Sequence, residues 1–306
     1  MLSLAIIIPL AINKKVEGLH EIRKQTIDFI PIYGNNTSQN RNIGVKKATT
    51  KYVAFINGHT ILSHDWLNNI ELFFQKYPEV DIVGGPQLTR DEDPFFGRTS
   101  GIALSSFFGT ASLRNRYMQG KENLNANENM LTSANLICKK SVFHQISYDE
   151  NLYPGEDLKF IIDAKKANFI IAYSPKIVTY NKRRSNLWAL AKQIFNYGQT
   201  RLKAVKFRTT LKNPVIILPS LFILYTLVLP FVYKNNIWAS IPFLTYVTLL
   251  LFFSFYETLK RKRLKSFFLL ICVFLGIHVS YGLGFIFGTI KSCLCLARNK
   301  KNNGIK

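Results

Sequence analysis

Hydrophobic residues fall into two regimes along this chain. Through the first two thirds they occur as short runs between polar turns. From Pro214 onward they occur in long blocks. The short runs predict buried strands: Leu4 to Ile8, stopped by Pro9; Asp28 to Ile32; Tyr52 to Ile56; Val80 to Gly84; Leu136 to Cys138; Phe169 to Tyr173; and Ile177 to Tyr180. Between them, apolar residues recur at helical spacing. Val16, Leu19 and Ile22 mark a short helix, and another runs from Thr37 or Ser38, either of which can cap it, to about Ala48. A helix carrying Trp66, Ile70, Phe73 and Phe74 follows, with Ser63 as its candidate cap, and Gly155-Glu156-Asp157 opens one with Leu158, Ile161, Ile162 and Ala164 inward. The alternation β-α-β-α-β predicts an α/β domain with a mostly parallel sheet and helices on its faces. Residues 87–130, rich in Gly, Ser and Asn, read as a long loop with short helices, the usual place for acceptor or substrate specificity.

The tract from Lys182 to Lys212 holds nine Lys and Arg and no acid. Its residues Leu187, Leu190, Ala191, Ile194, Leu202 and Val205 lie at helical spacing. That pattern suits a helix on an anionic membrane surface; a solvated helix packed on the domain is the alternative. Val215–Tyr233 and Ile237–Tyr256 are each long enough to cross a bilayer. A third block, from Ser266 or Phe267 to about Ile290, contains His278, Ser280, Tyr281 and glycines 276, 282, 284 and 288. It is a span, or a re-entrant or packed segment. A full crossing would carry Lys291, Arg298, Lys300, Lys301 and Lys306 outward, against the positive-inside tendency. The loop Leu259 to Lys265, with five basic residues, is expected to face the cytoplasm, as is the tract before the first span. The expected organisation is a soluble domain at 1–181, a basic juxtamembrane segment at 182–212, a membrane region at 213–290 with two or three spans, and a basic tail at 291–306.

Charge narrows the partners. The net charge is +22, of which residues 1–212 hold +12 and the remainder +10. An anionic partner is implied: a phosphorylated substrate or a membrane surface, rather than nucleic acid, for which no recognisable module is present. The four cysteines (Cys138, Cys272, Cys293, Cys295) form no disulfide framework and fit a reducing, cytoplasm-facing domain.

Candidate chemistry collects at predicted strand ends and helix starts. The helix after the second strand offers free N–H groups and a dipole to an anion, with Arg41 near its start. The run Tyr52 to Ile56 breaks at Asn57-Gly58 and delivers Asn57, His59 and Thr60, the way open α/β sheets build ligand sites. Taken singly, Glu156-Asp157 reads as a helix cap, His59 as a turn histidine, Arg41 as a surface charge, and Gln193 and Arg201 as a polar helix face.

Their order along the chain resembles the family-2 glycosyltransferases of GT-A fold. The similarity is carried by Ile6-Ile7-Ile8-Pro9, by Gln39-Asn40-Arg41-Asn42-Ile43-Gly44 with Ala48, and by Tyr52 through His59 followed by Trp66-Leu67. Val83-Gly84-Gly85-Pro86, Thr132-Ser133-Ala134-Asn135, Gly155-Glu156-Asp157 and Gln193 through Arg201 continue it. His278-x-x-Tyr281-Gly282-x-Gly284 is similar to the tail of succinoglycan-type exopolysaccharide glycosyltransferases. The resemblance covers roughly residues 4–290. It implies an inverting, hexosyltransferase-type transfer from a nucleotide-sugar to a membrane acceptor, such as a polyprenyl-linked sugar, in polysaccharide or cell wall synthesis at the plasma or inner membrane. On this resemblance Asp157 is the general base with Glu156 in support, and Pro9, Arg41, Asn42, Asn57 and Gly58 lie on the donor side. Gln193 and Arg201 hold the diphosphate or the acceptor. A divalent ion, Mn²⁺ or Mg²⁺, neutralises the leaving diphosphate, with His59 as its ligand. Two departures stand out. Asn57-Gly58-His59 replaces the usual Asp-x-Asp, and Tyr33-Gly34-Asn35-Asn36 replaces the acidic cluster after the second strand. The alternative is a catalytically inactive membrane subunit of the same fold that binds rather than transfers.

Overall fold

The computed structural model describes residues 2–14, 27–205 and 214–303. The chain forms two compact units, Met1–Asp93 with Ser112–Arg183, and Pro94–Ala111 with Arg184–Lys306. The helix expected around Val16, Leu19 and Ile22 lies outside the described residues, as does the end of the basic tract.

In the first unit β1 (Leu4–Leu10), β2 (Asp28–Tyr33), β3 (Tyr52–Ile56), β5 (Ile82–Gly84), β7 (Asn135–Lys139) and β8 (Ile171–Tyr173) make one sheet in the order β2-β1-β3-β7-β5-β8. The sheet is mostly parallel, as expected, with one reversed strand. β1 runs parallel to β2 and β3, and β5 to β8, while β7 enters antiparallel to both β3 and β5. Both faces are covered, which is why the strands read as unbroken apolar runs. Ala5, Ile7, Val53, Phe55, Leu136 and Cys138 point to one core; Leu4, Ile6, Ile8, Tyr52, Ala54, Ile56 and Ile137 point to the other. Helix α1 (Thr37–Lys47) is capped by Asn36, one residue before the expected cap, through a 3.1 Å bond from the Gln39 N–H. Helix α2 (Trp66–Lys76) starts without a side-chain cap; Ser63 contributes its carbonyl, which accepts from the Trp66 N–H, instead of its hydroxyl. Helix α5 spans Glu156–Lys166.

A smaller sheet, β4 (Thr60–Leu62), β9 (Thr179–Asn181) and β6 (Gln87–Thr89), carries a buried polar chain. The Thr60 hydroxyl donates to Asn181 Oδ1 at 2.6 Å, the Asn181 amide donates to Gln87, and the Gln87 amide donates to Thr132. The chain leaves this unit after Asp93 and again after Arg183. These points are pinned together, since the Arg183 N–H donates to Asp93 Oδ2 at 3.0 Å.

The second unit takes in α3 (Phe95–Ser105) and α4 (Phe107–Thr110), from the stretch expected to be a loop of the first domain. It adds α6 (Leu187–Ala204), α7 (Pro214–Tyr233), α8 (Ile241–Lys260) and α9 (Phe267–Asn303). Helices α6 and α9 approach through small residues. A Cβ on Gly284 would lie 2.1 Å from the Phe195 carbonyl, one on Gly288 2.2 Å from that of Gln199, and one on Gly198 2.3 Å from that of Tyr281. His278 on α9 joins two neighbours. Its Nε2 lies 2.8 Å from the Phe108 carbonyl, which can only accept, so Nε2 carries the proton and Tyr246 donates to Nδ1 at 3.0 Å. Among the described residues three segments are long and apolar enough to cross a membrane: Val215–Tyr233, Ile237–Lys260 and Leu264–Leu294. The third differs, with 39% of its apolar window buried within the protein against 6% and 11%.

Asn135 ties the two sheets of the first unit. Its side chain accepts from Trp66 Nε1 at 3.0 Å and donates to the carbonyls of Ile177 (2.7 Å) and Pro86 (3.3 Å). Asn135→Leu leaves a buried indole N–H and two carbonyls without these partners. It is expected to cost about 3 kcal/mol, read as a lowered unfolding midpoint in detergent.

Candidate active site

β1, β2 and β3 are mutually parallel through β1, so their C-terminal ends share one edge of the sheet. Pro9, Tyr33-Gly34 and Asn57-Gly58 all lie there. Asn40 on α1 stitches this edge together, donating to the carbonyls of Leu10 at 3.2 Å and Gly34 at 3.1 Å. Gly58 lies against β1 closely enough that a Cβ would meet Leu10 Cδ2 at 2.4 Å. The turn after β3 is thereby held at the end of β1, with Asn57 half-buried and His59 exposed.

Arg41 is not the surface charge it reads as when taken singly. Its side chain is buried, and its guanidinium Nη1 lies 2.9 Å from Glu156 Oε1 and 3.4 Å from Asp157 Oδ1. It faces the ring of Tyr148 at 5.0 Å, a cation–π contact. Tyr148 is stacked on Phe160 at 4.4 Å and shares a 2.7 Å hydrogen bond with Ser133. Burial pushes its phenol well above the usual tyrosine range, so it stays neutral beside the cation. Asn42 secures the same corner. Its amide donates to the Tyr148 carbonyl (2.9 Å) and to Glu150 (2.8 Å), and accepts from the Tyr148 N–H (3.0 Å).

The acidic pair opens α5 after Gly155, whose φ of 112° is the left-handed conformation that glycine allows. The two carboxylates differ in setting. The Glu156 side chain is 6% exposed against Arg41, while that of Asp157 is 29% exposed. Burial, and after it the neighbouring Asp157 charge, raise the Glu156 carboxyl above its ordinary value despite the guanidinium.

Of the expected site residues, direct contact brings together Arg41, Glu156 and Asp157, and the shared sheet edge collects Pro9, Asn57, Gly58 and His59. Gln193 and Arg201 lie on α6 of the second unit, where Gln193 accepts from Arg184 Nε at 3.0 Å and donates to the Tyr197 hydroxyl at 2.8 Å. Sequence reasoning missed Tyr148 and Asn40. The signal for Asn40 was present, because it stands inside the Gln39-to-Gly44 motif. As for a metal, no three His, Cys, Asp or Glu side chains converge to hold one among the described residues. The turn offers one imidazole and one amide, without the carboxylate oxygens that Mg²⁺ requires. These residues do not fit Mg²⁺ as the expected ion.

A carboxyl raised in the folded state contributes stability in full below its unfolded value, and that contribution is lost as the pH rises through the folded value. Relative to Glu156→Gln, the wild type should therefore lose stability as the pH climbs from about 4 toward neutrality. Unfolding midpoints of both proteins across that range measure it, and parallel curves would contradict the assignment.

Residues 14–147 match the family described as Glycosyl transferase family 2. The match takes in α1 with Arg41 and the Asn57-Gly58-His59 turn and stops before Glu156. No curated protein matches the chain. Among solved structures it is similar to S. aureus TarS 1-349 in complex with UDP-GlcNAc, at 13% identity and a TM-score of 0.44, covering 93% of this chain and 90% of that one. It is similar also to a longer S. aureus TarS structure, at 14% identity and a TM-score of 0.43. That likeness covers 66% of this chain and 43% of the other, so this chain spans less than half of that protein's length. The matched stretch, residues 14–147, is the segment that holds the sheet edge and the buried arginine, and over it the chain is similar to family-2 glycosyltransferases.

Proposed function

We propose that the chain transfers a sugar from a nucleotide-sugar to a lipid-linked acceptor with inversion, using Asp157 as general base. The observation that carries this is the asymmetry of the acidic pair. Glu156 is locked on Arg41 in the interior, and its neighbour presents a more open carboxylate at a fixed place on the first turn of α5. The acceptor oxygen bonds to the anomeric carbon as the bond to the diphosphate breaks. The acceptor proton passes to Asp157, and the nucleoside diphosphate leaves with the bonding electrons. Pro9, Asn57 and Gly58 line the sheet edge where open α/β sheets receive ligands, and Gln193 and Arg201 are kept as candidate contacts to the diphosphate or acceptor. Among the described residues, His59 is the imidazole at this edge able to ligate Mn²⁺.

Membrane attachment is proposed through α7 and α8, with the first unit and the loop 261–266 on the cytoplasmic side. Helix α9 is assigned as a packed segment instead of a full crossing. It runs beside α6, which carries Lys192, Arg201 and Lys203, charges that a bilayer interior disfavours. That placement also keeps the basic tail inside. With Cys293 as the sole cysteine, a membrane-impermeant thiol reagent is expected to label inverted vesicles only; labelling from the outer face would make α9 a span.

The transfer reading is tested by nucleotide release from a panel of nucleotide-sugars on detergent-purified protein with native lipid extract, with and without Mn²⁺ or Mg²⁺. Asp157→Asn is expected to lower release about 10²- to 10⁴-fold, with Glu156 still paired to Arg41. Stimulation by Mn²⁺ that disappears in His59→Ala would give that imidazole its metal role. Absence of release from every donor would favour the binding-only subunit, in which Asn57-Gly58-His59 is a lost metal site.

A further inference from the structure

The second unit contains a cavity of about 620 Å³ remote in sequence from every residue assigned above. Its wall combines the first turn of α3, the last turn of α8 and the loop that leads into α9. Four cations line it: Arg98, Lys262, Arg263 and Lys265. Among the described residues no acidic one does. Glu257, one turn earlier on α8, is directed to Arg261 at 3.3 Å, and Arg261 also donates to Ser105 at 2.8 Å. The rest of the wall is largely apolar, with Phe95, Leu259 and Leu264 each about half exposed.

The loop is built rather than slack. Lys262 takes φ 53° and ends α8, its N–H bonding to the Leu259 carbonyl at 3.0 Å, and the Arg263 N–H reaches back to the Thr258 carbonyl at 2.8 Å. Ser266 closes the other side, bonded through its N–H to the Arg263 carbonyl at 2.9 Å and through its hydroxyl to Thr99 of α3 at 3.2 Å. The volume lies within the range of small-ligand sites. Concentrated positive charge, absence of acid and an apolar rim at the end of a membrane-length helix together suit one chemistry, a phosphate carried on an acyl or prenyl chain.

We infer that this cavity binds a lipid phosphate, the cations taking the headgroup and Phe95, Leu259 and Leu264 the start of the chain. The inference rests on the proposed reading of α7 and α8 as membrane spans, and not on the transfer reaction. Two sources share the chemistry, an anionic glycerophospholipid and a polyprenyl phosphate.

Native mass spectrometry of the full chain in detergent separates them. Phosphatidylglycerol, a polyprenyl monophosphate and phosphatidylcholine are offered in equal amounts, and retained adducts are counted. Wild type is expected to prefer one phosphate-exposing lipid over phosphatidylcholine by about tenfold, and the preferred one identifies the source. The preference should vanish in Lys262→Asn/Lys265→Gln, in which asparagine keeps the left-handed turn. It should survive Lys234→Gln/Lys291→Gln, which removes equal charge elsewhere in the unit. Equal retention by both variants would mean that general charge, and not this cavity, selects the lipid. Full displacement by inorganic phosphate would make the ligand a free anion. Either result overturns the inference, and neither bears on nucleotide release.

Discussion

The first unit depends on a buried charge. A guanidinium taken out of water is costly, and the cost is met here only because Glu156 and Asp157 stand beside it and Tyr148 supplies a ring face. The partners come from separate parts of the chain: α1, the loop before α5, and α5 itself. Each must therefore settle against the others before the charge is compensated. The Asn42 amide clamps the loop to α1, and the stacked rings of Tyr148 and Phe160 bind the loop to α5. A carboxylate proposed to accept a proton has to be held in place and still be reachable. The arrangement divides these tasks between adjacent residues, Glu156 anchoring and Asp157 presenting.

The two units solve the packing problem differently. The first buries a mixed sheet between two apolar layers, so its specificity lies in strand register and in polar crosslinks such as Asn135. The second is helical and apolar on its exterior as well as its interior, so burial alone distinguishes few arrangements. Its specificity comes from close approach at glycines 198, 284 and 288, and from directional bonds such as that of His278 to the Phe108 carbonyl.

What could be read in the sequence was what local pattern controls. The run Tyr52–Ile56 is a strand with the expected bounds, because five consecutive apolar residues ending at Asn57-Gly58 leave little else. The long apolar blocks announced the membrane-length helices for the same reason. The role of Arg41 was not readable, since its partner is 115 positions away and nothing near position 41 signals burial. The reversed direction of β7 was equally hidden, because strand polarity leaves no trace in an apolar run. Ser63 failed as a cap because a preceding turn placed its carbonyl, and not its hydroxyl, at the helix start. The stretch 94–111 looked like a surface loop because Gly97, Thr99, Ser100 and Gly101 dilute its apolar residues, yet those small residues are all buried.

That stretch has a consequence for biosynthesis. Helices α3 and α4 emerge from the ribosome long before α9, the helix on which they pack. During that interval Ile102, Ala103 and Leu104, buried in the finished protein, face either water or lipid. The two exits of the chain are already fastened by the contact of Asp93 with Arg183, so the nascent hairpin waits on a closed base. A truncation that stops at the end of the first unit, designed to yield a soluble fragment, would retain this hairpin and discard its cover. Solubility of such a fragment would then be set by residues 94–111 instead of by the helices removed.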